Sequence, residues 1–299
     1  MEAVCGLFGN TRQAYYKAKA HRERTDEEQR RLYAIVLELV QALRMRLPHL
    51  GSYKLWLMLK LPLLATGIQI GRDRFLSILR AAGLLLYPRR AFHVKTTDSR
   101  HWLKRYPNLI RLLQPTRPGE VWVVDLTYIR VGQQFCYLSL VTDAYSHKIV
   151  GYAISDNLSP EGSLRAVCMA LKQRTKLPDG TSAPLIHHSD RGIQYACHEY
   201  TNLLKANGIA ISMTENGDPY ENAVAERING ILKHEFALVE TFRDQLEARR
   251  AIDEAVRRYN EERPHMSCDY LTPTEAHLRN GILRKRWTKR VYHQPVPTT

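Results

Sequence analysis

Asp125, Asp190 and Glu226 are the residues of this sequence that could do chemistry together. Asp125 interrupts an apolar run, VWVVDLTYI. Asp190 follows a second apolar stretch in PLIHHSDRGIQY, and Glu226 lies 36 positions beyond it in ENAVAERINGILKHE. Carboxylate oxygens are hard ligands of the kind Mg2+ and Mn2+ prefer. Three of them around two such ions can activate an attacking oxygen and stabilise a leaving one at a phosphodiester. Each acid also has an ordinary explanation. Asp125 would face outward on an edge strand, Asp190 would cap the following segment, and Glu226 would sit on a solvated helix face. On a helical wheel Glu226, Asn229, Gly230 and Lys233 share one side, with Val224, Ile228, Ile231 and Leu232 on the other. Lys233, two turns beyond Glu226, could reach a DNA phosphate.

The elements that must position these acids can be read from periodicity. Val121–Arg130, Phe135–Thr142 and His147–Ser155 are strand-like runs separated by Gly132 and by Asp143–Ser146, a meander. A helix is read over Ser159–Arg174, begun by Ser159-Pro160-Glu161. Leu185–His188 is a short strand, His198–Asn207 a helix and Ile209–Met213 a strand. The helix of Glu226 and a further helix, Asp244–Asn260, complete the order β-β-β-α-β-α-β-α. That order gives an α/β fold, a mixed sheet with helices on its faces.

Charge divides the chain. The net charge is +14, and residues 1–118 hold 22 Lys+Arg against 8 Asp+Glu, while residues 119–299 hold 22 of each. A cationic arm on a neutral body points to a polyanion gripped by the arm and worked on by the body. Within the arm a helix is read over residues 25–46, with a capping-box pattern at Thr25 and Glu28. Shorter helices follow over Ser52–Leu59 and Arg72–Ala82, with Gly51 and Gly71 at the turns. These fit either a helix-turn-helix, whose third helix would carry Arg72, Arg74 and Arg80 to the major groove, or a helical bundle with a solvated basic face. Ahead of them, a short helix pair around Gly9-Asn10 presents Tyr15, Tyr16 and Lys17. Residues 84–118, with Arg89, Arg90, Lys104 and Arg105 among eight cations, read as a basic linker that orders on DNA.

Other classes are disfavoured. Apolar residues make up 44% of the chain, and no run approaches the roughly 18 apolar residues of a membrane span. The start, MEAVCGLFGNTRQ, lacks a signal-peptide pattern, so a cytoplasmic location is expected. The five cysteines are widely spaced without a CxxC, which argues against a disulfide framework. His187, His188, Cys197 and His198 crowd together but do not match zinc-ligand spacing. Buried free thiols and ordinary histidines are the better reading.

In combination, WVVDLTYI, HHSDRGIQY, DPYENAVAERINGILKHE and the trailing YNEERPHMSCDYLTP resemble the catalytic subunit encoded by the second reading frame of bacterial insertion sequences of the insertion-sequence-three family. The amino-terminal VCGLFGNTRQAYYK and the region Gly51–Leu86 share the resemblance, which covers nearly the whole chain. It implies a ribonuclease-H-like core of the retroviral-integrase superfamily, with a five-stranded mixed sheet preceded by an all-α DNA-binding region. It implies that Asp125, Asp190 and Glu226 form a catalytic triad holding Mg2+, with Mn2+ able to substitute, and that Lys233 is the basic residue seven positions after the glutamate. The polar loop ISMTENGDPYEN departs from many relatives, which leaves the roles of Asn216 and Tyr220 open. In YNEERPH, Arg263 and His265 either brace the core or contact DNA. The domains so implied are an amino-terminal segment 1–24, a helix-turn-helix domain 25–88, a basic linker 89–118, a catalytic core 119–280 and a basic tail 281–299. The expected activity is DNA transposition: cleavage at element ends and transfer of the 3′-OH to another phosphodiester. Expected partners are double-stranded DNA, as terminal repeats and target, and further copies of the chain. The resemblance also implies a first-frame partner that supplies a further helix-turn-helix and a leucine zipper, often as a frameshifted fusion; no heptad zipper is read here, so the shorter product is expected. A bacterial, nucleoid-associated location follows. The alternatives are a DNA-binding regulator, or a nuclease or resolvase on the same core. A retroviral integrase is disfavoured because no His-His-Cys-Cys pattern lies near the amino terminus.

Overall fold

The computed structural model describes residues 11–86, 102–174, 180, 182–215 and 222–287. The chain divides into two compact units, Met1–Arg90 and Ala91–Thr299. Among the described residues no helix is long and apolar enough to cross a membrane.

The described part of the first unit is all-α: α1 (Arg12–Arg46), α2 (Ser52–Ala65) and α3 (Arg72–Ala81). Sequence reading starts the first helix at Thr25, but α1 passes straight through it. Its cap is Thr11, whose side chain accepts a hydrogen bond from the Ala14 amide at 3.1 Å. Thr25 instead donates to the His21 carbonyl at 2.9 Å, the back-bond that lets a threonine sit inside a helix. Residues 12–24 therefore belong to α1 and form no separate short helix, while Gly9 and Asn10 lie outside the described residues. Helix α2 runs on past Leu59 through Pro62. Leu63, beyond the proline, is fully buried, and that burial offsets the lost backbone bond. Val36 and Val40 of α1 join Leu55, Leu59 and Leu63 of α2 and Phe75, Ile78 and Leu79 of α3 among the buried residues of this unit.

The second unit is built on one mixed sheet. Its strands are β1 (Val121–Val131), β2 (Gln134–Asp143), β3 (Ile149–Ser155), β4 (Ile186–Ser189), β5 (Ala210–Met213) and the two-residue β6 (Thr241–Phe242). The order is β3-β2-β1-β4-β5, with β6 beside the far part of β1. β1, β2 and β3 pair antiparallel, whereas β4 and β5 continue the sheet in parallel. An antiparallel meander extended by parallel strands that return through helices is the ribonuclease-H-like arrangement. The five strands read from the sequence are all present. β6 escaped because two residues carry no period.

Helices cover both faces. α4 (Pro160–Leu171), α5 (Ile193–Ala196) and α6 (His198–Ala206) lie on one, and α7 (Ala223–Glu235) and α8 (Gln245–Glu261) on the other. The first core gathers Trp122 and Val124 of β1 with Ala166, Val167, Tyr200 and Leu204. The second gathers Ile129, Leu138 and Leu140 with Ile228, Leu232, Ile252 and Tyr259. Burial on both faces is why β1 and β2 read as nearly continuous apolar runs. Gly151 permits close contact with α4: a Cβ there would sit 2.1 Å from the Ala166 carbonyl oxygen. Between Tyr106 and Ile110, the stretch read as linker is attached to the sheet. The Leu109 amide donates to Ser212 Oγ at 2.9 Å, the Asn108 amide to Glu215 at 3.0 Å, and the Met213 amide reaches the Pro107 carbonyl at 3.4 Å. This segment thus occupies the open side of β5, an edge that proteins commonly cover.

Candidate active site

Side chains alternate across a strand. Val121 and Val123 of β1 pack with Ala225 of α7, so Asp125, two residues on, belongs to the face that α7 covers. The parallel register pairing Val124 with Ser189 places Asp125 and Asp190 at successive positions on neighbouring strands, which lie about 4.8 Å apart. Asp190 leaves the end of β4, and one of its oxygens accepts from the Gly192 amide at 2.9 Å. It therefore shapes its own loop; Gly192 caps the following helix.

Helix α7 is set over this point by Ile228, Ile231 and Leu232, all buried in the sheet face. Asn222 at its amino-terminal cap donates to the Val124 carbonyl at 3.1 Å. Asn229 donates to Asp125 Oδ2 at 2.7 Å, and the Leu126 amide donates to Oδ1 at 2.8 Å. Glu226, one turn before Asn229, is exposed in the first turn of α7. A negative charge is favoured there by the helix dipole. Lys233, one turn after Asn229, has its ammonium 3.5 Å from the centroid of the Tyr128 ring, a cation–π contact.

The electrostatics tie the three acids together. Burial pushes the Asp125 carboxyl up to about 7, helped by the charge of Asp190 and, less, by that of Glu226; the hydrogen bonds from Asn229 and Leu126 oppose the shift. Asp125 thus feels both other acids and has too little positive charge nearby. Lys233 is pulled down to about 8 by its own burial, against the pull of Asp125. Among the described residues the three carboxylates are not drawn within 4.8 Å of one another, as His147, His265 and Cys268 are. Like charges without a cation repel, and an exposed glutamate has room to stand off. The donor set is all carboxylate oxygen, and Asp125 is destabilised as an anion. Both features fit a hard divalent cation.

The remaining candidates are dispersed. Arg72, Arg74 and Arg80 are exposed on α3, with Arg72 paired to the neighbouring Asp73 at 2.9 Å. Lys104 and Arg105 are exposed in the second unit, Lys104 lying 5.3 Å from the Tyr106 ring centroid. Arg89, Arg90, Asn216 and Tyr220 lie outside the described residues. The crowded histidines are structural: His187 pairs with the Tyr200 hydroxyl at 2.9 Å and His188 with Ser212 Oγ at 2.8 Å. Cys136 and Cys268 are buried as expected, but Cys168 is exposed and Cys197 half-buried. The helical wheel sets Asn229 beside Glu226, but its bond to Asp125 depends on tertiary packing. Tyr128 has no signal in the sequence beyond an aromatic three residues after Asp125.

Comparison with known proteins identifies what the chain is similar to. Two models described as integrase core domain match residues 115–219 and 207–273. A 31 kDa protein of insertion element IS600 from Shigella sonnei is 34% identical over 277 residues, covering 90% of this chain and 96% of the relative. The transposase for insertion sequence element IS629, also from Shigella sonnei, is 33% identical over 229 residues, covering 76% and 73%. Among solved structures, the HTLV-2 integrase catalytic core domain in complex with magnesium aligns with a TM-score of 0.44 and 18% identity, covering 55% of this chain and 99% of that one.

Proposed function

Because this chain belongs to the insertion-sequence transposases of the retroviral-integrase superfamily, enzymes that cut and join DNA, we propose that Asp125, Asp190 and Glu226 are its catalytic centre and hold Mg2+. The observation that supports this reading is the meeting of β1, β4 and α7, in which the Val124–Ser189 register sets Asp125 beside Asp190 and the 2.7 Å Asn229–Asp125 bond seats the helix of Glu226 over them. Bound Mg2+ would lower the pKa of an attacking hydroxyl and stabilise the departing 3′-oxygen.

The chain's own groups do the rest. Asp125 is fixed by sheet backbone and Asp190 by its place at the end of β4 and the bond from the Gly192 amide, so little ordering entropy is left to lose when substrate binds. Asn229 and the Leu126 amide each occupy one lone pair on Asp125 and leave others free for a cation. Lys233 would leave the Tyr128 ring for a substrate phosphate. In the first reaction water adds to phosphorus at the element end and the P–O3′ bond breaks, freeing a 3′-OH. In the second that 3′-OH attacks a target phosphorus, and the bond to the target's own 3′-oxygen breaks. α3, with Arg72, Arg74 and Arg80, and the stretch with Arg89, Arg90, Lys104 and Arg105 would hold the terminal repeats, mostly through phosphates. The proposed organisation is a DNA-binding region within 1–88, a basic stretch to 118, a core over 119–280 and a basic tail. Two element ends must be joined at once, which favours a homo-oligomer. A first-frame protein is the proposed partner for any zipper contact.

Supplying pre-cleaved element ends, a target plasmid and Mg2+ separates the readings. A transposase joins end to plasmid; a regulator leaves both untouched; a nuclease or resolvase only cuts. Joined product is the expected result.

The raised Asp125 carboxyl also predicts a pH dependence. Its folded pKa, about 7, exceeds the ordinary 3.8, so the cation-free folded state holds protons that the unfolded chain releases. Stability of the cation-free protein should therefore fall as pH rises between those values. Divalent-cation affinity should rise with pH across the same window and level off above it, with proton release on binding. Calorimetric titration with Mn2+ in buffers of different ionisation enthalpy measures both. A flat affinity from pH 5 to 8 would contradict the assignment.

A further inference from the structure

A second cluster of ligating side chains lies in the catalytic unit and has no part in the proposed chemistry. His147 ends the turn after β2. His265 and Cys268 belong to the loop that follows α8. Their ligand atoms all lie within 4.8 Å of one another, with His265 and Cys268 buried and His147 half-buried. We infer that His147, His265 and Cys268 form a binding site for Zn2+ or a similar thiophilic divalent ion.

The donors are of the right kind. Two imidazoles and one thiolate suit zinc and do not suit Mg2+, which prefers oxygen. Zn–N bonds of about 2.0 Å and a Zn–S bond of about 2.3 Å place neighbouring ligand atoms roughly 3.3 to 3.5 Å apart in a tetrahedron. With every pair within 4.8 Å, the cluster needs to close by no more than about 1.5 Å to reach that spacing. The two imidazole rings stack, with centroids 4.5 Å apart and planes 11° from parallel, so one ring must turn about its Cβ–Cγ bond for both in-plane lone pairs to meet at one ion.

The backbone gathers these donors deliberately. His147 has φ +59, Asp269 φ +55 and Tyr270 φ +62. Left-handed geometry is costly for residues other than glycine, and it marks positions that the surroundings enforce. The first turn is locked by Asp143, whose carboxylate accepts from the Gly119 amide at 2.7 Å, the Ser146 amide at 2.8 Å and the Ser146 hydroxyl at 2.7 Å. The second loop is closed by the His265 amide on the Leu271 carbonyl at 2.9 Å. The two loops meet where Cys268 Sγ donates to the Ser146 carbonyl at 3.4 Å, and the Tyr259 hydroxyl donates to the His147 carbonyl at 2.9 Å.

The protonation states are compatible with metal binding. Burial, with the positive charges of Lys285 and Arg263, holds His147 down at about 4, so its ring is neutral and can ligate near pH 7. Burial pushes the Cys268 thiol up to about 12, so it is a thiol until a cation arrives. Binding then breaks the S–H bond, forms a metal–sulfur bond and releases the proton to solvent. His265 Nδ1 accepts a long 3.3 Å hydrogen bond from the Ser267 amide, which is weak enough to yield. Water or the Ser146 carbonyl oxygen would supply a fourth position. The ion would clip the turn after β2 to the loop behind α8, a structural role apart from the carboxylate centre.

Co2+ titration of the full chain, stripped by chelator and carrying Asp125→Asn to weaken the carboxylate site, tests this. Cobalt bound by a thiolate gains a near-ultraviolet charge-transfer absorption that carboxylates do not give. The expected result is that band, saturating at one equivalent, bleached by Zn2+ and lost in Cys268→Ser. His147→Asn should also lose it, and asparagine tolerates the left-handed backbone there, so this variant keeps the fold; far-ultraviolet circular dichroism checks that. Absence of the band in the parent, or its persistence in either variant, overturns the site.

Discussion

Replacing Asp125 by asparagine is expected to lower both end cleavage and strand transfer by about a thousandfold or more, as loss of one charged ligand at a metal-dependent centre does. Affinity for element-end DNA should stay within a few-fold, because the cationic groups proposed to hold phosphates are untouched. The shape of the side chain is conserved: the new amide oxygen can still accept from the Leu126 amide, and its NH2 is met once the Asn229 amide flips to present oxygen in place of nitrogen. What is lost is the negative charge. In the absence of a divalent cation the same change should raise stability at pH 8, since a carboxylate that burial and Asp190 disfavour has gone. Gain of stability with loss of activity is a trade expected only of a functional acid. Rates from a gel assay of cleavage and joining, with denaturant melts of the same preparations, measure both. A variant that keeps a tenth or more of the activity would exclude Asp125 from the centre.

The second large effect concerns the support of α7. Arg263 is 1% exposed, and its guanidinium grips Glu235, the last residue of α7, through two bonds of 2.7 Å. It also donates to the Pro264 carbonyl at 3.3 Å. Replacement by leucine leaves the Glu235 carboxylate largely out of water and without its cation. Breaking a buried pair in this way costs on the order of 3–5 kcal/mol, and the partial exposure of Glu235 puts this pair near the lower end. Urea denaturation of Arg263→Leu should show that loss, and adding Glu235→Leu should recover much of it. Loss of less than about 1 kcal/mol would place this pair with surface ion pairs. The effect reaches the candidate centre because Glu235 and Glu226 share a helix.

Much of this arrangement was legible in the residues. The three strands of the meander, the two parallel strands and the long helices all announced themselves through apolar periodicity and glycine turns. The acids stood out because each was a charge in or beside a segment otherwise fit for burial. Thr25 misled because a threonine inside a helix can satisfy its hydroxyl on the preceding turn, and no local pattern separates that from a cap. The attachment of Tyr106–Ile110 to β5 was hidden because backbone bonds to Ser212 and Glu215 leave no trace in side-chain pattern. The Asn229–Asp125 bond joins residues 104 apart in the chain, and only the packing of α7 on β1 brings them together. The same holds for His147 and the His265–Cys268 pair, which no spacing rule connects. Arg263 and His265, open between bracing and DNA contact, prove to be buried in the core.

The proposed mechanism requires Asp125, Asp190 and Glu226 to close on shared cations. Anomalous diffraction at the manganese edge, from crystals of the full chain with element-end DNA and Mn2+, locates those cations directly. Manganese is expected within coordinating distance of an oxygen from each of the three acids, with the Glu226 side chain swung inward from its exposed position. Manganese ligated without Glu226, or bound elsewhere while the DNA end lies over β1 and β4, would contradict it.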